Sequence, residues 1–279
     1  MTIESPSLKK RAKNSHKGSF GTALVVAGSY GMCGAEVLAA RAAQKSGVGI
    51  VKAAVVDKNY TAFTVSVPEA VVLPFETDVE GGFCLSLKQI DNCLNGADAL
   101  LVGPGMGQSF SAKHTVFNLL KHAEVPIVLD ADGINAVSFD INVLRGIKAP
   151  VIITPHPGEM ARLMGVGVKD IEANRIEYAK NCAKICGVIV VLKGANTVIA
   201  TPDGRVFINV NGNSGMATAG SGDVLSGIMV SLLAQGYSPL AAAKAAVYLH
   251  GEAGDKAAIK HGKISMSASD IITELNIFG

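Results

Sequence analysis

Short apolar runs rich in Val, Ile and Leu alternate along this chain with longer stretches in which apolar residues recur at helical spacing. Residues 22–27 (TALVVA), 49–56, 99–102, 126–129 (PIVL), 151–154 and 188–192 (VIVVL) read as strands. Helical patterns cover 35–45, 111–122, 157–164, 171–186, 223–235, 239–258 and 267–275. Segments 197–200 and 206–210 flank Pro202-Asp203-Gly204, a hairpin signal. Regular strand–helix alternation predicts an α/β fold with a largely parallel sheet covered on both faces. In such sheets ligands bind beyond the carboxyl ends of the strands. Gly103-Pro104-Gly105, Asp130-Ala131-Asp132, Thr154-Pro155-His156 and Lys193-Gly194 each follow directly after a predicted strand. Any one of them is compatible with simple turn chemistry; four on one rim predict a composite site.

The segment from Asn211 to Gly227 (NGNSGMATAGSGDVLSG) is a small-residue loop running into a helix that begins near Gly222. The first amides of a helix have no partner within it and, with the helix dipole, favour an anion. Gly220 and Gly222 let backbone approach phosphate oxygens closely. Asp223 then stands in the first turn, placed to take a proton from a hydroxyl that attacks a held phosphate. The alternative is a capping Asp on a Gly-rich turn. No Walker pattern occurs, and Gly28-Ser-Tyr-Gly31 does not match dinucleotide-fingerprint spacing; only Asp57 comes near the acidic position such a fold requires.

Composition narrows the setting. The 279 residues suffice for one large domain with a buried core, and no linker or repeat divides them. Residues 1–15 are read as an N-terminal extension and 16–279 as one domain. A net charge of +2 and the absence of Trp give no support for nucleic acid or a membrane surface as partner. The five cysteines are an odd number without CxxC spacing, and Cys182 and Cys186 stand four apart on one helix face. They read as reduced core thiols rather than metal ligands. The polar, basic start is no signal peptide, and 224–233 is too short to span a bilayer. A soluble cytoplasmic enzyme is the expectation.

Gly220-Ser-Gly-Asp223 resembles the anion hole and base of the ribokinase superfamily. Six further segments narrow the resemblance: His16–Thr22 (HKGSFGT), Ala27–Ala35 (AGSYGMCGA), Gly103–Gly107 (GPGMG), Leu129–Asn135 (LDADGIN), Thr154–Arg162 (TPHPGEMAR) and Leu192–Thr197 (LKGANT). In that order they are similar to the carbohydrate-kinase-like NAD(P)H-hydrate dehydratases, over about residues 16 to 275. Ala219 departs from the family by standing where a second glycine is common, and Ser221 stands where Thr is common.

The resemblance implies a ribokinase-like three-layer fold and a hydro-lyase acting on the 6S hydrate of NADH or NADPH in metabolite repair. ADP, or ATP, is the implied phosphoryl donor, with Mg²⁺ arriving on its phosphates; no protein metal ligand is named. Asp223 is the implied base and Gly220, Ser221 and Gly222 the anion hole. Lys193, Gly194, Ala195, Asn196, Thr197 and Gly222 are implied to bind the nucleotide. Ala35, Gly105, His156 and Asp223 are implied to meet the hydrated dinucleotide, with Asn135 and Glu159 as further candidates. For Lys193 and His156 a plain surface lysine and a turn histidine remain the alternatives; Asp130 and Asp132 either position the site or a metal, or cap helices. A homotetramer and a separate epimerase working alongside are also implied. The competing readings are a kinase for a thiamin precursor, a non-catalytic nucleotide-binding module, and a hydride-transferring dehydrogenase.

Overall fold

Strands that are apolar on both faces can be satisfied only between two layers of helices, and that is how this chain packs. The computed structural model describes residues 1–276. In chain order it contains β1 (Thr22–Val26), α1 (Cys33–Lys45), β2 (Ile50–Val56), α2 (Tyr60–Ser66), β3 (Val71–Phe75), α3 (Leu87–Leu94) and β4 (Ala99–Val102). Then follow α4 (Phe110–His122), β5 (Ile127–Leu129), α5 (Asp132–Val137), β6 (Val151–Ile153), α6 (Pro157–Met164), α7 (Val168–Ala173), α8 (Arg175–Cys186) and β7 (Ile189–Leu192). The chain continues through β8 (Thr197–Ala200), β9 (Val206–Asn209), α9 (Ser221–Ala234), α10 (Pro239–His261) and α11 (Ala268–Glu274). The sheet order is β3-β2-β1-β4-β5-β6-β7-β8-β9. Strands β1 to β7 run parallel, and β8 and β9 return antiparallel as the expected hairpin.

Two-residue alternation along the strands assigns side chains to two cores. Val25, Ala53, Leu101, Val128, Ile152 and Val191 face α1, α9, α10 and α11. Leu24, Ala54, Leu100, Leu129, Ile153 and Leu192 face the layer holding α3 to α8. The three-layer α/β fold expected from the sequence is therefore the one observed. The same alternation aims the site. Leu129 and Leu192 close their strands on the α3–α8 side, so Asp130 and Lys193, the next residues, turn toward α9.

Helix α9 is held almost all round: Val224, Leu225, Ile228, Met229, Leu232 and Leu233 are buried. Full burial of such a side chain is worth about 1.5–3 kcal/mol, as an upper estimate. A charge at Ile228 would undo this contact. Gly227 lets α1 approach closely, because a Cβ there would run into the Ala39 carbonyl. At the start of the chain, the Ile3 amide donates to Ile208 O and the Ile208 amide to Met1 O, both at 2.9 Å. The edge of β9 is thereby covered. The Lys9 amide donates to the Tyr237 hydroxyl at 2.7 Å.

Several elements differ from the sequence expectation. The helix expected over 171–186 is two helices, broken at Asn174 (φ −136°, ψ 43°). Elements α2, β3, α3 and α5 were not expected. β3 carries Pro74, which a central strand would not accommodate but an edge strand does. α3 opens on a capping box in which Ser86 and Gln89 satisfy each other's amides, a signal present in the sequence. Cys182 and Cys186 lie on one buried face with sulfurs 3.9 Å apart.

Candidate active site

The strand tips converge on Asp130, which is 1% exposed. Its Oδ1 meets Lys193 Nζ at 2.7 Å and accepts from the Ala131 amide at 2.9 Å, while Oδ2 accepts from the Ser226 hydroxyl at 2.6 Å. One carboxylate thus joins β5, β7 and α9. Burial works against the Lys193 charge, but Asp130, Glu159 and Asp223 together hold its pKa above that of an ordinary lysine. Glu159 lies 3.9 Å from Lys193 Nζ and is itself buried.

Helix α9 starts at Ser221 behind Gly220, whose φ of 87° is left-handed and suits glycine. No side chain caps this terminus, so its first amides have no side-chain partner. The departure at Ala219 causes no strain, because the positive φ falls on Gly220 and not on Ala219. Gly222 brings the helix start against the lysine: a Cβ there would lie 3.4 Å from Lys193 Nζ. Asp223 is part-buried in the first turn. Burial, then the Asp130 charge, with Asp132 and Glu159 adding, pushes its carboxyl up to about 7 against the pull of Lys193. A carboxylate poised near neutrality beside an anion-favouring helix terminus can accept a proton while a phosphoryl group is held.

The remaining candidates fall around this centre. Lys193, Gly194, Ala195, Asn196 and Thr197 form the β7–β8 turn, with Asn196 at φ 57° and Thr197 Oγ1 donating to Gly194 O at 3.0 Å. Ala35, in the first turn of α1, and Gly105 are in close approach: a Cβ on Gly105 would meet that of Ala35 at 3.0 Å. His156 is the N-cap of α6; its Nδ1 accepts from the Gly158 amide at 3.0 Å, leaving Nε2 to carry the proton toward Glu159 Oε1 at 3.2 Å. Glu159 Oε2 in turn accepts from the His156 amide at 2.8 Å. His156 is therefore both a cap and a half-exposed ring held in one orientation. Asn135 accepts from Arg162 Nη1 at 2.7 Å and donates to Asp132 at 3.4 Å. Asp132 Oδ2 accepts from the Gly107 amide at 2.9 Å, tying two loops together. Among the described residues, no cluster of three His, Cys, Asp or Glu side chains is placed to hold a metal ion.

Sequence reasoning missed four residues that shape the site. Ser226 bonds Asp130 one turn below Asp223. Arg175 Nη2 donates to Leu192 O at 3.0 Å and Lys193 O at 3.3 Å, pinning the lysine turn. Arg162 holds Asn135. His250 Nε2 lies 3.3 Å from the Ser221 hydroxyl. The only sequence signal for Ser226 and His250 was a polar residue on an otherwise apolar helical stripe.

A sequence model of the family described as NAD(P)H-hydrate dehydratase matches residues 23–276. The chain belongs to this family. Among the dehydratases and their fusions, it is 44% identical over 253 residues to the ADP-dependent (S)-NAD(P)H-hydrate dehydratase of Neisseria meningitidis, covering 88% of this chain and 80% of that one. It is 43% identical over 273 residues to the bifunctional NAD(P)H-hydrate repair enzyme of Moorella thermoacetica, covering 95% of this chain and 50% of that one. The chain thus spans about half the length of the bifunctional relatives it matches. The solved ADP/ATP-dependent NAD(P)H-hydrate dehydratase of Bacillus subtilis, co-crystallized with ATP and Mg²⁺, superposes with a TM-score of 0.84 at 34% identity. That match covers 96% of this chain and 92% of the other. Ribokinase of Thermotoga maritima shares the fold at 16% identity and a TM-score of 0.58.

Proposed function

We propose that this chain dehydrates the 6S hydrate of NADH or NADPH, with ADP as preferred phosphoryl donor and ATP as the alternative. The observation that carries the reading is the uncapped start of α9, where Gly222 lies against Lys193 and Asp223 stands in the first turn within reach of the lysine's charge. Asp223 takes the proton of the ring hydroxyl as its oxygen attacks the terminal phosphorus of the nucleotide. The bond from that phosphorus to the bridging oxygen breaks, releasing AMP from ADP. The ring-nitrogen lone pair then expels phosphate, loss of the adjacent C5 proton restores the double bond, and reduced nicotinamide results. Hydroxide is a poor leaving group and phosphate a good one, which is why a nucleotide is consumed.

In this reading the backbone around Gly220, Ser221 and Gly222 faces the transferring phosphoryl group, and Lys193 to Thr197 hold the nucleotide. Ala35, Gly105 and His156 line the dinucleotide side. Mg²⁺ fits as an ion carried by nucleotide phosphates and water, since among the described residues the side chains offer no clustered ligand set of their own. A cytoplasmic homotetramer working beside a separate epimerase completes the proposal. It is supported by family membership and by the absence, among the described residues, of a helix long and apolar enough to cross a membrane.

The test follows absorbance at 340 nm when the protein meets hydrated NADH with Mg²⁺ and ADP, ATP or neither. A rise that requires nucleotide, faster with ADP, is expected. No rise with either, in protein shown to bind them, would overturn the proposal. Asp223→Asn should keep nucleotide binding yet lower turnover by about a thousandfold. Because the Asp223 carboxyl titrates at about 7 and a base must be ionised, kcat/KM should climb up to that pH and level above it.

A further inference from the structure

We propose that His250 is a positioning residue for the anion hole: from α10 it fastens Ser221, the first residue of α9, and so sets the direction of the amides that meet the phosphoryl group. The inference rests on the reading of that helix terminus as the phosphoryl site. Three observations carry it. First, the turn entering α9 lacks local fastening. It has no side-chain cap, it passes through the left-handed Gly220, and the Ser221 amide reaches Thr218 O only at 3.4 Å. Second, among the described residues the side chain that bonds the Ser221 hydroxyl comes from another helix, His250 Nε2 at 3.3 Å. Third, the next turn of α10 clamps the loop leading into α9. Asp255 accepts from the Gly212 amide at 2.9 Å and from Asn213 Nδ2 at 3.0 Å, and that same Nδ2 donates to Gly254 O at 2.9 Å. Helix α10 thus holds the approach and the terminus together.

A neutral imidazole suits this task. Burial pushes His250 down to about 4, so the ring is uncharged in the neutral range. A neutral Nε2 can accept the Ser221 hydroxyl proton, which an imidazolium cannot. An uncharged ring also leaves Lys193 as the cation nearest the phosphoryl group, without a second positive charge drawing that group off line. A displacement of about 1 Å at such a site can cost about a hundredfold in rate, whereas the β7–β8 turn, which makes no hydrogen bond with His250 among the described residues, should keep its hold on the nucleotide.

The experiment compares kcat for hydrated NADH and ADP affinity, by calorimetry, in His250→Phe, His250→Gln, Ser221→Ala and the His250→Phe/Ser221→Ala double variant. His250→Phe should lower kcat about tenfold while ADP affinity changes by less than about threefold. His250→Gln, whose amide nitrogen and oxygen reach the Nε2 position, should recover most of that loss. The double variant should be no slower than its slower parent, because both changes remove one bond. Turnover of His250→Phe within twofold of the parent, losses that multiply in the double variant, or a His250→Gln no better than Phe would overturn the proposal. Should His250→Phe fail to fold, the rates of His250→Gln and Ser221→Ala decide: a loss of about tenfold in kcat in Ser221→Ala with a His250→Gln close to the parent supports it, and an unaffected Ser221→Ala overturns it. Asp223→Asn runs alongside: full activity there would remove the base assignment and with it the phosphoryl-site reading on which this inference rests, while its loss with an unaffected His250→Phe would remove only His250.

Discussion

Asp130 and Glu36 are both carboxylates buried on the same side of the sheet, and they live in opposite conditions. Asp130 is bonded by Lys193, Ser226 and the Ala131 amide. Glu36, in the first turn of α1, is fully buried beside Gly28, and neither of its oxygens has a partner among the described residues. Burial alone drives its pKa well above the ordinary carboxylate value. Burying a charge is tolerable when pairing offsets the lost hydration; otherwise the group keeps its proton. Asp130 is the paired hub of the candidate site, and Glu36 is an unpaired acid at its edge whose burial favours the protonated form.

Breaking the hub should have the largest effect. Asp130→Ala leaves Lys193 with only the longer contact to Glu159 and should cost about 3 kcal/mol in denaturant unfolding, together with most of the turnover. A loss below about 1 kcal/mol would mean that Asp130 is not holding the lysine.

Removing the lone acid should act in the other direction. Glu36→Leu should raise stability by about 1–3 kcal/mol at pH 8, since it deletes an unsatisfied polar group. The pH dependence has a definite sign. The folded pKa of Glu36 is raised, so its contribution is fully present below the unfolded value, near 4.5, and is lost as pH rises through the folded one. The variant's advantage should therefore grow from pH 4 to pH 8. A flat or shrinking difference in Tm over that range would show that Glu36 has found a partner.

Ser226→Ala removes one of the three hub bonds and should cost about 1 kcal/mol while leaving Lys193 paired. The smallest shift to be read is electrostatic, in the pH profile of whatever turnover an Asp130 variant retains. Asp130→Asn removes a negative neighbour that helps hold the Asp223 carboxyl near 7, so the rising limb of the kcat/KM profile should move to lower pH. An unmoved limb would separate Asp130 from Asp223.

Much of the rim was legible because strands and their ends follow local rules. Asp130 and Lys193 stand one residue past apolar runs, and alternation turns both toward α9. Asp223 follows a Gly-rich turn at a helix start, a local arrangement independent of the rest of the fold. The break at Asn174 was hidden because the helical pattern runs through it. The β3 edge was hidden because Pro74 argues against a strand until its position at the border of the sheet is known. Ser226, Arg175 and His250 were hidden because their partners lie 96, 17 and 29 residues away in sequence.

By itself, then, the sequence determined the layered α/β order, the rim where strands end, the glycine-lined helix start, and family membership through its motifs. All of these depend on residue patterns within a few positions, where backbone preference and hydrophobic periodicity act. Only the tertiary structure decided which buried carboxylate is paired and which is alone, that the loop before α9 is clamped by α10, and that His250 reaches Ser221. Those outcomes depend on desolvation and on hydrogen bonds between distant segments, which exist only once packing has brought the partners together.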